Sequence, residues 1–160
     1  MNDNVKVLPP EAAMERLLAI METGAAAPLV ISGSSMSPFL VHGRDTVFLT
    51  PPKKQLKKGD MILYRRQSGA YVLHRIRAVE GETFTLIGDG QTEKEHGIRP
   101  EQVLAVVTAV RRKGRRLKKG SFWWDFFEKI WLNMIPLRPA ALRIYGFLMR
   151  KHHEKRDHCG

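Results

Sequence analysis

Residues 29–39 read Leu-Val-Ile-Ser-Gly-Ser-Ser-Met-Ser-Pro-Phe, an apolar run of three followed by a serine-rich turn. A short β-branched run that ends in Gly, Ser and Pro is typical of a strand entering a turn. Ser35 follows the end of this strand between small residues, where a hydroxyl can stand open to a substrate. Serine alone is a weak nucleophile and needs a neighbouring base. Taken alone, such a stretch is more often a structural turn.

Short apolar runs of the same kind continue to residue 110, separated by Gly, Pro and Asp turns. They are rich in Val, Ile, Leu, Phe and Tyr, the residues that favour strands. The runs are residues 29–31, 46–49, 61–64, 71–79, 83–87 and 103–110. The sequence therefore predicts a mainly β, antiparallel domain over residues 29–110.

An amphipathic helix is predicted within residues 1–28, before the β domain. Apolar residues recur there at helical spacing, at Met14, Leu17, Leu18 and Met21. Pro10 is tolerated in the first helical turn and Gly24 is placed to end the helix, which gives bounds of about 10–23. One such helix is too short to form a helix-turn-helix module.

The chain after the β domain is first basic and then aromatic. Residues 111–120 hold seven Lys or Arg and no acid, which predicts a solvated hairpin or linker, or a contact for an anionic partner. Residues 121–160 hold all three tryptophans and predict amphipathic helices broken at Pro136 and Pro139. One predicted helical face carries Phe127, Ile130, Trp131 and Met134. This face either packs on the β domain or lies on an anionic membrane.

Charge and composition limit the partners and the compartment. The net charge of +11 favours anionic partners. No run of 18 apolar residues exists, residues 1–8 do not resemble a secretory leader, and the single Cys159 can form no internal disulfide. We therefore expect a cytoplasmic protein, with peripheral contact at the inner membrane face as a further option. No metal or cofactor motif is found, so neither is predicted.

Five segments, taken together and in order, resemble the type I signal peptidases and the LexA-type self-cleaving proteins. Gly-Ser-Ser-Met-Ser-Pro at 33–38 is similar to their nucleophile motif. Gly-Arg-Asp-Thr-Val at 43–47 and Lys-Gly-Asp-Met-Ile-Leu-Tyr at 58–64 are similar to the strand starts that follow it. Val-Leu-His-Arg-Ile at 72–76 and Gly-Asp at 88–89 resemble the endoplasmic-reticulum and archaeal branch of signal peptidases. The resemblance implies a LexA/signal-peptidase-like coiled β fold with helices at both ends.

The resemblance also implies catalytic roles. Ser35 is the expected nucleophile and His74 the expected general base, where bacterial relatives have a lysine. An imidazole is already largely neutral near pH 7 and needs less tuning than an amine. Asp89 is expected to orient the imidazole in a Ser-His-Asp arrangement, with Glu93 or Glu95 as the less favoured alternatives.

Substrate binding is expected beside the nucleophile. Relatives pair an extended peptide with neighbouring strands, so the predicted substrate-binding residues are Val30, Ile31, Ser32, Gly33 and Met36. Many signal peptidases have a serine at the position of Gly33, so the oxyanion is expected to rely on backbone N–H groups, including that of Ser35. Small residues such as Ala are expected on the acyl side of the cleaved bond.

These expectations predict a serine endopeptidase that cleaves a peptide or protein precursor after small residues. Two alternatives stay open: a non-catalytic peptide-binding module of the same fold, and a LexA-type regulator that cleaves itself, for which the alanines at 25–27 offer a site. Only about 30 residues precede the β domain, too few for the usual three-helix DNA reader, so nucleic acid is disfavoured as a partner. The remaining expected partners are the peptide substrate and an anionic membrane surface.

Overall fold

An antiparallel sheet forms the body of the protein. The computed structural model describes the backbone of residues 9–157 and the side chains of residues 9–147, so the predictions for residues 1–8 and Cys159 lie outside the described residues. Helix α1, Pro10–Glu22, comes first. The strands are β1 Ala27–Val30, β2 Thr46–Thr50, β3 Met61–Arg65, β4 Tyr71–Glu80, β5 Thr83–Ile87, β6 Glu95–Ile98, β7 Val103–Arg112 and β8 Arg115–Lys118.

The strand order is β1-β2-β7-β3-β4-β5-β6, with β8 paired to β7 as well. The prediction of a mainly β chain with an N-terminal helix and C-terminal helices is confirmed, and each predicted apolar run coincides with a strand or overlaps one. The sequence did not predict β6, which reads as a polar segment, and left β8 as a hairpin or linker. Both are short edge strands, where charged residues are common because one edge and one face meet water.

Strand β3 is buried on both faces, and this divides the apolar core in two. Met61 and Leu63 lie in a larger cluster with helix α1, β1, β2 and the aromatic segment, which is the helical chain after residue 121. Ile62 and Tyr64 lie in a smaller cluster with β5 and the start of β7. Successive strand residues point to opposite faces, so one strand supplies both clusters.

The N-terminal helix packs as predicted. Met14, Leu17 and Met21 are buried, and they recur at the spacing of one helical face. They join the larger cluster, so α1 covers the sheet beside β1.

The aromatic segment packs on the sheet as a chain of short helical turns. It comprises α2 Phe122–Asp125, a π-helical turn Phe126–Ile130, two 3-10 turns Trp131–Asn133 and Ile135–Leu137, and α3 Arg138–Asp157. Trp124, Phe127 and Trp131 are buried in the larger cluster. The prediction that Ile130 shares their face is wrong, because it is half exposed. A π-helical turn has more residues per turn than an α-helix, so it rotates Ile130 away from the face that α-helical spacing predicts.

Candidate active site

The serine turn, residues 32–40, holds Ser35 at the edge of the larger cluster. Met36, Phe39 and Leu40 are buried and anchor the turn from below. Backbone hydrogen bonds close it, from Ser37 N to Ser34 O at 3.0 Å and from Leu40 N to Met36 O at 2.9 Å. Ser35 itself is half-buried. The turn therefore fixes the backbone of Ser35 and leaves its side chain partly accessible.

A cavity of about 260 Å³ contains both Ser35 and His74. Its walls come from the serine turn, from the first residues of β4, and from Arg66 and Gln91. Residues 71–74 of β4 pair with β3 on one side, whereas pairing with β5 begins at Arg75, so this half of β4 presents a free edge. The nucleophile and the base predicted from sequence therefore line one cavity at an unpaired strand edge.

The His74 ring is 2% exposed and contacts two groups through Nδ1. The Glu95 carboxylate lies 3.3 Å from Nδ1, and the Tyr64 hydroxyl lies 3.3 Å from it. Burial lowers the pKa of His74 to about 4, against the opposing effect of the Glu95 charge. The ring is therefore neutral near pH 7. Since a carboxylate only accepts, we assign the ring proton to Nδ1, which leaves Nε2 with a lone pair that can accept a proton.

Glu95 is held in place by Arg66. Two guanidinium nitrogens of Arg66 donate to the two carboxylate oxygens of Glu95, with Nε to Oε2 at 2.9 Å. This pairing holds the pKa of Glu95 below its usual range, although partial burial acts the other way. Burial raises the pKa of Tyr64, and hydrogen bonding to Glu95 raises it further. Arg66, Glu95 and Tyr64 therefore surround the histidine with one fixed negative charge and its counter-ion.

Asp89 does not occupy the position predicted for it beside His74. Its two carboxylate oxygens accept from Arg75, at 3.0 Å from Nε and 2.9 Å from Nη2, and both side chains are fully buried. His74 and Arg75 are consecutive on β4 and so point to opposite faces. The Asp89 carboxylate, bound to Arg75, therefore lies on the face of the sheet opposite to His74. The carboxylate in contact with His74 is that of Glu95. Glu93, the other alternative, is exposed.

The support loop, residues 88–91, packs directly behind the serine turn. Gly90 N donates to Ser35 O at 2.8 Å. A Cβ added at Gly88 would lie 2.5 Å from the same oxygen, and one added at Gly90 would lie 2.7 Å from Ser37 O. Only glycine permits so close an approach of two backbones. Asp89 thus belongs to a loop that fixes the serine turn, which is its role in this structure.

The predicted substrate-binding residues fall around two adjoining cavities. Ile31, Ser32 and Met36 line the cavity of Ser35 and His74. Val30 lines a neighbouring apolar cavity of about 330 Å³ under α1, which Ile31 and Ser32 also line. Gly33 lines neither cavity; its backbone N–H donates to His42 Nδ1 at 3.1 Å. Gly33 is therefore engaged in shaping the turn.

The backbone N–H groups of the serine turn differ in whether they are hydrogen-bonded. Among residues 9–157, the structure records no acceptor for it, whereas the N–H groups of Gly33 and Ser37 are both used within the turn. A free N–H at the nucleophile is the donor that stabilises a tetrahedral intermediate in serine hydrolases. The expectation that Ser35 supplies such a donor remains a prediction.

The sequence does not predict Tyr64 and Arg66 as neighbours of His74. Tyr64 lies on β3 diagonal to His74, whose direct partner is Ile62, so strand alternation places both on one face once the register is known. Arg66 follows β3 in the turn to β4, and no local pattern marks it. Within the described side chains, no group of three His, Cys, Asp or Glu is placed to hold a metal ion.

Comparison with known proteins assigns no family, since no family model, no curated protein and no solved structure matches the chain. The resemblance to signal peptidases and LexA-type proteins rests on the motifs in the sequence and stays a prediction.

Proposed function

We propose that this protein is a serine endopeptidase in which Ser35 is the nucleophile, His74 the general base and Glu95 the acid that orients the base. The observation that carries the proposal is the shared cavity of Ser35 and His74, with the Glu95 carboxylate against Nδ1 of the ring. A hydroxyl, a neutral imidazole and a carboxylate in this order are the groups that acyl transfer requires.

The reaction follows from these positions. The Ser35 oxygen attacks the peptide carbonyl while Nε2 of His74 takes the hydroxyl proton, and the oxyanion accepts from the backbone N–H of Ser35. The imidazolium formed lies 3.3 Å from the Glu95 carboxylate, which stabilises its charge. His74 then gives the proton to the leaving amine. Water next attacks the acyl carbon while His74 takes a proton from it, and the Ser35 oxygen leaves and recovers that proton.

The substrate is an extended peptide that adds to the free strand edges around the cavity. Among the described residues, β1 pairs with β2 alone and the first four residues of β4 pair with β3 alone, so each has an unpaired edge. Residues adjoining both edges line the cavity of Ser35. A peptide between them can form main-chain hydrogen bonds while its side chains enter the two cavities. We propose small residues on the acyl side of the cleaved bond.

Labelling with a fluorophosphonate probe tests the activated serine. Wild type is expected to be modified at Ser35, as located by mass spectrometry, and His74→Ala should slow the modification by about 10²–10⁴-fold because it removes the base. Lys53→Ala is the control, since Lys53 is exposed in the loop between β2 and β3, outside the serine turn. Equal labelling of wild type and His74→Ala would contradict the assignment of the base.

A non-catalytic peptide-binding module is the second candidate, and one observation favours it. Within residues 9–147 the structure records no hydrogen bond between the Ser35 hydroxyl and the His74 ring. The same free edges and cavities would bind a peptide without cleaving it. Folded wild type that binds extended peptides, resists the probe and leaves the peptides intact would support this function instead.

Self-cleavage is less well supported by the fold. Ala27 is fully buried and is the first residue of β1, where it pairs with Leu49. A bond at 25–27 reaches the cavity of Ser35 only if β1 leaves the sheet. Cleavage of a separate peptide needs no such change.

We also propose that the protein docks on an anionic membrane surface. Phe122 is 73% exposed and Trp123 is 46% exposed, although the same segment buries three aromatic side chains. This segment follows the β7–β8 hairpin, whose exposed residues include Arg115 and Arg116. Exposed aromatics beside clustered cations suit an interface with anionic headgroups. No helix in the described portion of the chain is long and apolar enough to cross a bilayer.

Vesicle co-sedimentation tests this docking with the full-length chain. Wild type should bind vesicles of phosphatidylcholine with about one-third phosphatidylglycerol at low salt and release as salt rises. Both Phe122→Ser/Trp123→Ser and Arg115→Glu/Arg116→Glu should bind more weakly, whereas Lys53→Glu on an exposed loop should bind nearly as wild type does. Failure of wild type to bind, or equal binding by all four proteins, would end this proposal.

A further inference from the structure

The backbone of the serine turn is fastened from the far end of the chain. The support loop carries Gly90, whose N–H holds Ser35 O, and this loop is itself held by groups from the C-terminal segment. Trp131 Nε1 donates to Asp89 O at 2.7 Å. Arg138, the first residue of α3, donates through Nη1 to Gly88 O at 2.8 Å and to Gln91 O at 2.6 Å.

Arg138 is fully buried, and within the described residues its hydrogen-bond partners are backbone carbonyls. Besides the two support-loop carbonyls, it donates through Nη2 to Trp131 O at 3.3 Å, and its Nε has no partner in the described part of the chain. The guanidinium also lies over the Trp131 ring, 5.7 Å from its centroid. A buried charge without a paired carboxylate is costly, so packing alone would be served better by an apolar side chain. What arginine adds is a planar fork, of which Nη1 bonds both ends of the support loop and Nη2 bonds Trp131 O.

We propose that Arg138 is a positioning residue for the nucleophile: it clamps residues 88 and 91, and the clamped loop sets the position of the Ser35 backbone relative to His74. This inference rests on the proposed function. The chain of contacts runs from Arg138 to Gly88 and Gln91, and from Gly88 and Gly90 to Ser35 O. Gln91 also lines the cavity of Ser35 and His74, so the clamp fixes a cavity wall as well.

In this arrangement the helical segment after β8, residues 122–157, positions the groups that line the cavity of Ser35 and His74. Misplacement of a nucleophile by about 1 Å can cost about 10²-fold in rate. Arg138→Met keeps the length of the side chain and removes every donor, so both ends of the support loop lose their clamp. Arg138→Lys keeps the charge but not the fork and should give an intermediate effect. Arg143→Met, an exposed arginine on the same helix, is the matched control.

Two measurements on the full-length chain test the clamp. The first is the rate of fluorophosphonate labelling of Ser35, which should fall about 10- to 100-fold in Arg138→Met, less in Arg138→Lys, and not in Arg143→Met. The second is amide hydrogen exchange by NMR, which needs no activity. Exchange at Gly90 and Gln91, whose N–H groups bond to Ser35 O and Gly88 O, should accelerate in Arg138→Met while the β3–β7 ladder stays protected.

The outcomes separate this inference from the proposed function. Wild type that is folded but never labelled contradicts the peptidase, and the exchange data then judge the clamp alone. Labelled wild type with equal labelling and equal Gly90 exchange in Arg138→Met overturns the clamp. Uniform acceleration across the sheet would show a merely structural role and would also overturn it. If Arg138→Met does not fold, Arg138→Lys and Trp131→Phe carry the same test, since each weakens one attachment of the support loop.

Discussion

The His74 ring takes up a proton near pH 6.5 in an unfolded chain, but burial lowers its pKa to about 4 in the folded protein. Between these values the unfolded state binds the extra proton, so the free energy of unfolding falls as the pH falls. The full contribution is present above about pH 6.5 and is lost by about pH 4. A shift of this size corresponds to about 2–4 kcal/mol.

Chemical denaturation from pH 7 to pH 4 tests this linkage. Wild type should lose stability over this window. His74→Gln replaces the imidazole with a neutral amide that does not titrate, so this variant should lose about 2–4 kcal/mol less. Identical slopes for both proteins would show that His74 titrates normally. The rate of Ser35 labelling should depend on the protonation of His74, because the base acts only when neutral. It should therefore rise through about pH 4 and be level by pH 7.

The two candidate acids differ in what their removal should change. Glu95→Gln leaves a side chain of the same size beside His74. The ion pair with Arg66 that it removes is partly exposed, so its contribution to stability is small. We expect unfolding free energy within about 1 kcal/mol of wild type and labelling of Ser35 slower by about 10²–10⁴-fold. Asp89→Asn breaks a fully buried ion pair and should cost about 3–5 kcal/mol in stability. Labelling lost in Asp89→Asn but unchanged in Glu95→Gln would restore Asp89 as the orienting acid.

At the scale of elements, the contact between the support loop and the serine turn can be probed by one methyl group. In Gly88→Ala the new Cβ would lie 2.5 Å from Ser35 O, so one of the two backbones must shift. Overpacking of this kind costs about 1–3 kcal/mol, and a displaced serine should label at least about tenfold more slowly. Gly146→Ala on α3 has open space around its Cβ and should label as wild type does. Labelling of Gly88→Ala at the wild-type rate would contradict the close approach.

Sequence patterns predicted the apolar elements well and the polar ones poorly. The runs that became β3, β4 and β7 bury side chains, and burial is what leaves a periodic apolar pattern. Strand β6 has few apolar residues because it lies at an edge, and yet it delivers Glu95 to the site. The sequence therefore favours Asp89 over Glu95 for a physical reason: the strand of Glu95 has no apolar signature, whereas Asp89 stands in a segment that resembles a family motif. Ser35 and His74 stand in segments that resemble family motifs and that adjoin or lie within apolar strands, and the structure places both at one cavity.

At the scale of the whole molecule, the C-terminal segment joins the core, the support loop and the exposed aromatic surface. Trp131 is buried in the larger cluster and also donates to Asp89 O, while Arg138 begins the helix that follows. These contacts join residues more than forty positions apart, and no local pattern can show them. The sequence left packing and membrane contact as alternatives for this segment. The structure shows the packing, and Phe122 and Trp123 leave an exposed aromatic surface on the same segment.

We propose that Ser35 and His74 hydrolyse peptide bonds. The decisive experiment incubates the protein with a diverse synthetic peptide library and identifies new peptide termini by mass spectrometry. Wild type, Ser35→Ala and His74→Ala would be compared at pH 7, each first shown to be folded. We expect cleavage by wild type, with small residues enriched on the acyl side, and none by Ser35→Ala. Wild type that leaves every peptide intact, or Ser35→Ala that cleaves the same bonds, would contradict this proposal.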